Sequence, residues 1–286
     1  MFYNMQERAG RFASAALHFN GDFIMIWYDM VKNEGSIRGE GMRNFRLCLC
    51  YDGGRYRGWQ KQGNTGGTIQ EKLETLLSRL LAQPVELAAS GRTDAGVHAR
   101  RQTCSFRADT DLSCGELLEL IRRHLPEDIG ALSLSEAEPR FHARLSCREK
   151  SYVYFIWNSP APNVFYRKYS YAWPEALDTA AMEQAAALLL GQHDFRSFCS
   201  VTKTKKSTVR ELRDISITRQ GPMLRIRFTG NGFLYNMVRI LVGTLLEVGS
   251  GQRSPEDIPR VLEARDRQAA GFTAPAQGLF LWEQKY

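Results

Sequence analysis

The sequence predicts an α+β fold built from two halves of similar plan, with antiparallel sheets packed against helices. Three observations carry that expectation. Several stretches alternate apolar and polar residues with period two. Others repeat apolar residues at helical spacing behind recognisable caps. The two kinds then interleave along the chain.

The first clean pattern starts at Met42. Phe45, Leu47, Leu49 and Tyr51 alternate with Arg46, Cys48 and Cys50, which predicts a half-buried strand. Gly53-Gly54 marks a turn. Thr68-Ile69-Gln70-Glu71 is a capping box, and Ile69, Leu73, Leu76, Leu77 and Leu80 share one face of the helix it opens. Residues 85–90 and 102–106 read as strands. A second box, Ser113-Cys114-Gly115-Glu116, opens a helix that stops before Pro126, and residues 130–136 read as a short strand.

The second half repeats this plan. Tyr152, Tyr154 and Ile156 alternate with Val153, Phe155 and Trp157 along a strand. Residues 178–190 are helical and end at Gly191. Residues 212–218 and 224–229 flank Gly221-Pro222 as a hairpin. Residues 233–248 form a helix with Gly243 inside it. Ser254-Pro255-Glu256-Asp257 caps another helix, and residues 278–283 close the chain as a strand. The expected organisation is 42–147 and 148–286, preceded by residues 1–41. That first segment has poor periodicity and a Gly-rich, charged end, so it reads as an extension or a mis-called start.

The chain of 286 residues is 43% hydrophobic and 11% aromatic, ample for a packed core. Its net charge of +7 suits a polyanionic partner but equally suits ordinary solubility. The six cysteines form no CxxC pair, and Cys48 and Cys50 lie on one strand face. They lack the convergence of a zinc site, so reduced thiols in the cytosol, without a metal, are expected. The apolar run 23–31 is too short to span a bilayer and carries Asp29, so no membrane association is expected.

The densest chemistry lies in Gly91-Arg92-Thr93-Asp94-Ala95-Gly96-Val97-His98, a loop between two predicted strands. Its glycines suit a tight loop whose backbone approaches a ligand closely. A lone aspartate in such a loop ordinarily caps a backbone N–H, and by itself Asp94 reads that way.

The whole octapeptide resembles the signature loop of the TruA family of tRNA pseudouridine synthases. The likeness continues in order along the chain. Residues 51–60, Tyr-Asp-Gly-Gly-Arg-Tyr-Arg-Gly-Trp-Gln, resemble the family's opening strand and turn. Phe141-His142-Ala143-Arg144, Lys150-Ser151-Tyr152-Val153-Tyr154, Gly191-Gln192-His193-Asp194-Phe195, Asn236-Met237-Val238-Arg239 with Val242-Gly243, Ala264-Arg265-Asp266-Arg267 and Gly278-Leu279-Phe280 follow. The resemblance covers about residues 42–286 and leaves the first 41 outside it.

That resemblance implies isomerisation of uridine to pseudouridine in the tRNA anticodon stem-loop, at positions 38, 39 and 40. It implies no cofactor, a homodimer in the cytoplasm, and an active-site cleft between the halves. It makes Asp94 the catalytic carboxylate, acting either on the sugar directly or through a glycal route. Arg239 is implied as the cation paired with Asp94. Tyr152 is implied to stack on the target base, its hydroxyl being a candidate proton acceptor in the glycal route. Arg92 is implied to contact RNA and to help turn the nucleotide out. Tyr154 is expected in the core, His98 in an orienting role, and Gly243 where its helix approaches another backbone.

Arg100, Lys203, Lys205 and Lys206 are expected on a phosphate track, since a tRNA stem needs contacts that position without reading sequence. Tyr235-Asn236 stands where many family members carry paired histidines, which bears on substrate range. Two other enzyme readings compete: a paralogue acting at another RNA position, and an unrelated carboxylate hydrolase. The second lacks a paired acid. A tRNA-binding module without catalysis would not need a carboxylate beside RNA phosphates.

Overall fold

The computed structural model describes residues 41–63, 66–201 and 206–286. The expectations for residues 1–40, Lys203 and Lys205 lie outside the described residues. Gly41 and Asp109–Asp111 fall in a separate unit, and the body considered below comprises Met42–Ala108 and Leu112–Tyr286.

The first strands are β1 (Arg43–Tyr51), the short β2 (Ala88–Ala89), β3 (His98–Ala108) and β4 (Ile129–Glu136). The helices α1 (Ile69–Leu80) and α2 (Cys114–His124) fall among them. Then come β5 (Glu149–Trp157), the short β6 (Tyr171–Ala172), α3 (Thr179–Ala187), β7 (Gly191–Asp194), β8 (Val209–Gln220) and β9 (Met223–Gly230). The chain ends with α4 (Met237–Gly249), α5 (Ile258–Ala264) and β10 (Leu279–Lys285).

The fold is α+β. Its strands form one sheet in the order β4-β1-β3-β10-β5-β9-β8-β7, with β2 on β3 and β6 on β5. Most pairs are antiparallel, but β10 runs parallel to β3 while pairing antiparallel with β5. The last strand therefore joins the strands of the first half to those of the second. Phe280 registers with His98 on one side and with Val153 on the other.

The box predicted at Ser113 is made in full and that at Thr68 only in half, because the Glu71 carboxylate accepts from the Gly67 N–H instead. The Thr68 hydroxyl accepts from the Glu71 N–H, and Ser113 with Glu116 forms a reciprocal box. Ile69, Leu73, Leu76, Leu77 and Leu80 are all buried, as their spacing predicts.

Three elements differ from expectation. The strand expected over 85–90 is reduced to Ala88–Ala89, because the Leu87 N–H donates to the Glu74 carboxylate instead of a neighbouring strand. The helix expected to end at Gly191 stops at Ala187 and unwinds through two tight turns, so Gly191 (φ +94°) starts β7. The helix expected from 233 starts at Met237, because Asn236 takes a left-handed conformation (φ +60°). Phe233 and Leu234 are thereby released to pack against the core.

The Gly243 expectation is met directly. A Cβ there would lie 1.9 Å from the Phe272 carbonyl oxygen, so α4 can pack at this depth only with glycine. Among the described residues no helix is long and apolar enough to cross a membrane. The six cysteines are all free thiols.

Candidate active site

The loop between β2 and β3 is held by the turn that follows β1. The Trp59 N–H donates to the Thr93 carbonyl (2.9 Å), and the Tyr51 hydroxyl bonds the Thr93 hydroxyl (2.9 Å). A Cβ on Gly53 would lie 2.0 Å from the Val97 carbonyl oxygen, so the two backbones are in close contact. At the loop's start, Gln102 donates to the Gly91 carbonyl (2.6 Å) and accepts from Ser90 (2.6 Å). At its end, buried His98 accepts from the Gly53 N–H through Nδ1 (3.1 Å) and stacks on Phe280 at 4.6 Å between centroids. Burial lowers the His98 pKa against the opposing charge of Asp52, whose carboxylate lies 3.0 Å from the same Nδ1. Two separate sequence motifs thus make one rigid unit.

Within that unit the Asp94 carbonyl closes a turn with the Val97 N–H (3.1 Å), while its carboxylate accepts no hydrogen bond from the described residues. The capping role that a lone loop aspartate ordinarily has is therefore absent. The side chain instead lines a cleft of about 700 Å³. Burial pushes the Asp94 pKa up, and the charge of Arg239 pulls it back in part.

Arg239 is half-buried on α4 and lies off the cleft lining. Its Nε donates to the Ala274 carbonyl (2.6 Å) and its Nη1 to the Asn236 side-chain oxygen (2.9 Å). Asn236 in turn donates to the Ser200 hydroxyl (3.0 Å). Arg239 forms no ion pair with Asp94; it acts through its field, from a position set by these bonds.

Tyr152 of β5 is buried against the cleft, with Phe233 edge-on to its ring at 5.0 Å. Burial and the charge of Asp94 push its phenol well above the ordinary tyrosine range. Tyr154 is fully buried, donates to the Pro275 carbonyl (2.7 Å), and is absent from the cleft lining.

Arg92, Asp94 and Tyr152 thus meet in one cleft, with Arg239 beside it. Arg92 is exposed on the cleft lining. Arg100 is elsewhere, its guanidinium 4.5 Å over the Trp282 ring. Lys206 is exposed and also off the lining. Sequence reasoning passed over Phe233, Trp59, Thr93 and Lys150 as site residues. Lys150 was discoverable, since it stands two residues from Tyr152 on the same strand face.

Among the described residues lining the cleft, Asp94 is the one carboxylate; Arg92, Arg144 and Lys150 are the other charged groups. A single desolvated carboxylate with a cation nearby, set among aromatic rings in an otherwise positive cleft, defines an enzyme acting on one ring-bearing unit of a polyanion.

Comparison with known proteins narrows this class. Residues 185–286 match a family model described as tRNA pseudouridine synthase. The tRNA pseudouridine synthase A of Bacillus sp. (strain KSM-64) is 43% identical over 240 residues, covering 84% of this chain and 98% of that one. The tRNA pseudouridine synthase A of Geobacillus kaustophilus is 44% identical over 245 residues, covering 85% and 95%. The tRNA pseudouridine synthase A 1 of Clostridium tetani is 42% identical over 245 residues, covering 86% and 100%. A solved Cbf5-Nop10-Gar1 complex aligns over 75% of this chain and 55% of its own at a TM-score of 0.31 and 11% identity, a likeness that carries no weight here. The chain belongs to the tRNA pseudouridine synthase family, enzymes that isomerise uridine to pseudouridine in tRNA.

Proposed function

We propose that this enzyme converts uridines at positions 38, 39 and 40 of the tRNA anticodon stem-loop, with Asp94 as the carboxylate acting at the sugar. The observation that supports this most is the state of Asp94. Among the described residues it is the one acid on the cleft lining, it caps nothing, and its loop is clamped from both ends.

The reaction breaks the N1–C1′ bond, turns the uracil over, and forms the C5–C1′ bond. The C5 proton departs and N1 gains one, so no redox partner is involved. Asp94 serves either by adding to C1′ or by taking the C2′ proton so that the base leaves with a glycal behind it. Both routes need the ionised carboxylate, and the field of Arg239 favours that form. The detached base needs a surface on which to turn, and the rings of Tyr152 and Phe233 supply one.

Arg92 at the cleft mouth would grip the RNA beside the everted nucleotide. Arg100 and Lys206 would carry stem phosphates outside the cleft, and Lys203 and Lys205 stay expected on the same phosphate track. A homodimer with tRNA crossing both subunits, working in the cytoplasm, completes the reading, as does a division of labour between residues 42–147 and 148–286.

Mapping pseudouridine in tRNA from cells with and without the gene tests the positions. Loss of pseudouridine at 38, 39 and 40 is expected, and loss only elsewhere would overturn the site assignment. Purified Asp94→Asn should bind tRNA without isomerising it; full activity in that variant would remove Asp94 from the chemistry.

A further inference from the structure

Among the described residues no carboxylate pairs with Lys150. It stands on β5 two residues before Tyr152 and lines the same cleft. A Cβ placed on Gly91 would lie 3.6 Å from both the Lys150 Nζ and the Tyr152 hydroxyl, so the two side chains converge on the start of the Asp94 loop.

Its sequence neighbour Glu149 is already engaged, with Arg213 at 3.0 Å and Lys285 at 2.7 Å. Adjacent strand residues point to opposite faces, so Glu149 cannot also serve Lys150. Among the described residues no acid forms an ion pair with Lys150, Arg144 or Arg210. These three cations come from three segments: the stretch before β5, β5 itself and β8. Burial is the chief effect disfavouring the Lys150 charge; Cys147 acts in its favour, while Arg144 and Arg210 oppose it by repulsion. Desolvating a lysine beside two arginines costs stability unless an anion arrives to share the site.

We propose that Lys150, with Arg144 on the same cleft lining, seats a backbone phosphate of the everted nucleotide while Tyr152 receives its base. This rests on the pseudouridine synthase reading of the cleft. Two residues along a strand advance about 6.6 Å, and the ribose of a nucleotide separates base from phosphate on a comparable scale. Lysine binds phosphate as a point charge and needs no planar match, which suits a site entered by a rotating nucleotide. Holding the phosphate fixes the sugar above Asp94 while the base alone turns.

The test uses the full enzyme and a synthetic anticodon stem-loop, with Lys150→Met and Lys150→Arg. For Lys150→Met, KM should rise about tenfold with kcat little changed, and the salt dependence of affinity should lose about one unit of slope. Lys150→Arg should restore the slope. Methylphosphonate substitution at the phosphates of the target nucleotide should weaken wild-type binding at one position and leave Lys150→Met unaffected there.

A collapse of kcat at unchanged KM would instead place Lys150 on the reacting base and overturn the proposal. So would wild-type binding indifferent to methylphosphonate at every position, a result that does not depend on the variant folding. A wild type inactive on every tRNA would refute the pseudouridine synthase reading itself, a distinct outcome.

Discussion

Arg239 lends its charge to Asp94 without touching it. Its guanidinium is held by the Ala274 carbonyl at 2.6 Å and by Asn236 at 2.9 Å, yet its field still lowers the Asp94 pKa against the effect of burial. A direct ion pair would occupy carboxylate lone pairs that the reaction needs. A cation fixed by other partners favours ionisation and leaves those lone pairs free.

Removing that charge should move the enzyme's acid limb. Arg239→Met leaves burial unopposed, so the Asp94 pKa rises further and activity, which needs the ionised form, begins at higher pH. Arg239→Lys keeps the charge and should shift the limb less. Single-turnover rates across pH measure both; an unmoved limb in Arg239→Met would break the link. The same variant loses two charged-donor hydrogen bonds, each worth about 1.5–3 kcal/mol, so its melting temperature should also fall.

Asp94→Asn should abolish isomerisation without destabilising the fold. A carboxylate whose pKa is raised by folding contributes its stability below the unfolded-state value and loses it as pH rises through the folded value. The wild type is therefore handicapped on the alkaline side of that transition, and the asparagine variant is not. Melting curves across pH should show the variant gaining on the wild type as pH rises. A variant less stable at every pH would show that Asp94 supports the fold.

Gly53→Ala should damage the site more than the core. Its Cβ would meet the Val97 carbonyl at 2.0 Å, and the Asp94 loop must shift to make room. Displacement of about an ångström costs on the order of 100-fold in rate. Gly243→Ala should instead lower stability, since the clash there, with the Phe272 carbonyl, moves α4 within the core. Thermal melts and kcat measured side by side separate the two.

Tyr152 and Tyr154 should separate in the same way. Tyr152→Phe removes a hydroxyl in the cleft and should lower kcat with little change in melting temperature. Tyr154→Phe removes the bond to Pro275 and should cost about 1 kcal/mol of stability while sparing kcat. Because burial and Asp94 both raise the Tyr152 pKa, the wild type should show no alkaline limb from this phenol near neutral pH. Such a limb, if lost in Tyr152→Phe, would contradict the buried, protonated state.

The sequence by itself determined the α+β class, the caps on α1 and α2, and the residues those helices bury. Capping and periodicity are local properties, settled within one or two turns of chain. It also singled out Gly91 to His98, through a family likeness carried by eight contiguous residues. The tertiary structure alone decided that β10 lies between β3 and β5, that α4 starts only after Asn236, and that Arg239 reaches Asp94 by field and not by contact. It alone showed that the Asp94 carboxylate caps nothing and that, among the described residues, Lys150 lacks an acid while Glu149 beside it has two cations. Strand order, desolvation and the pairing of charges depend on groups far apart in the chain, and no window of sequence contains both partners.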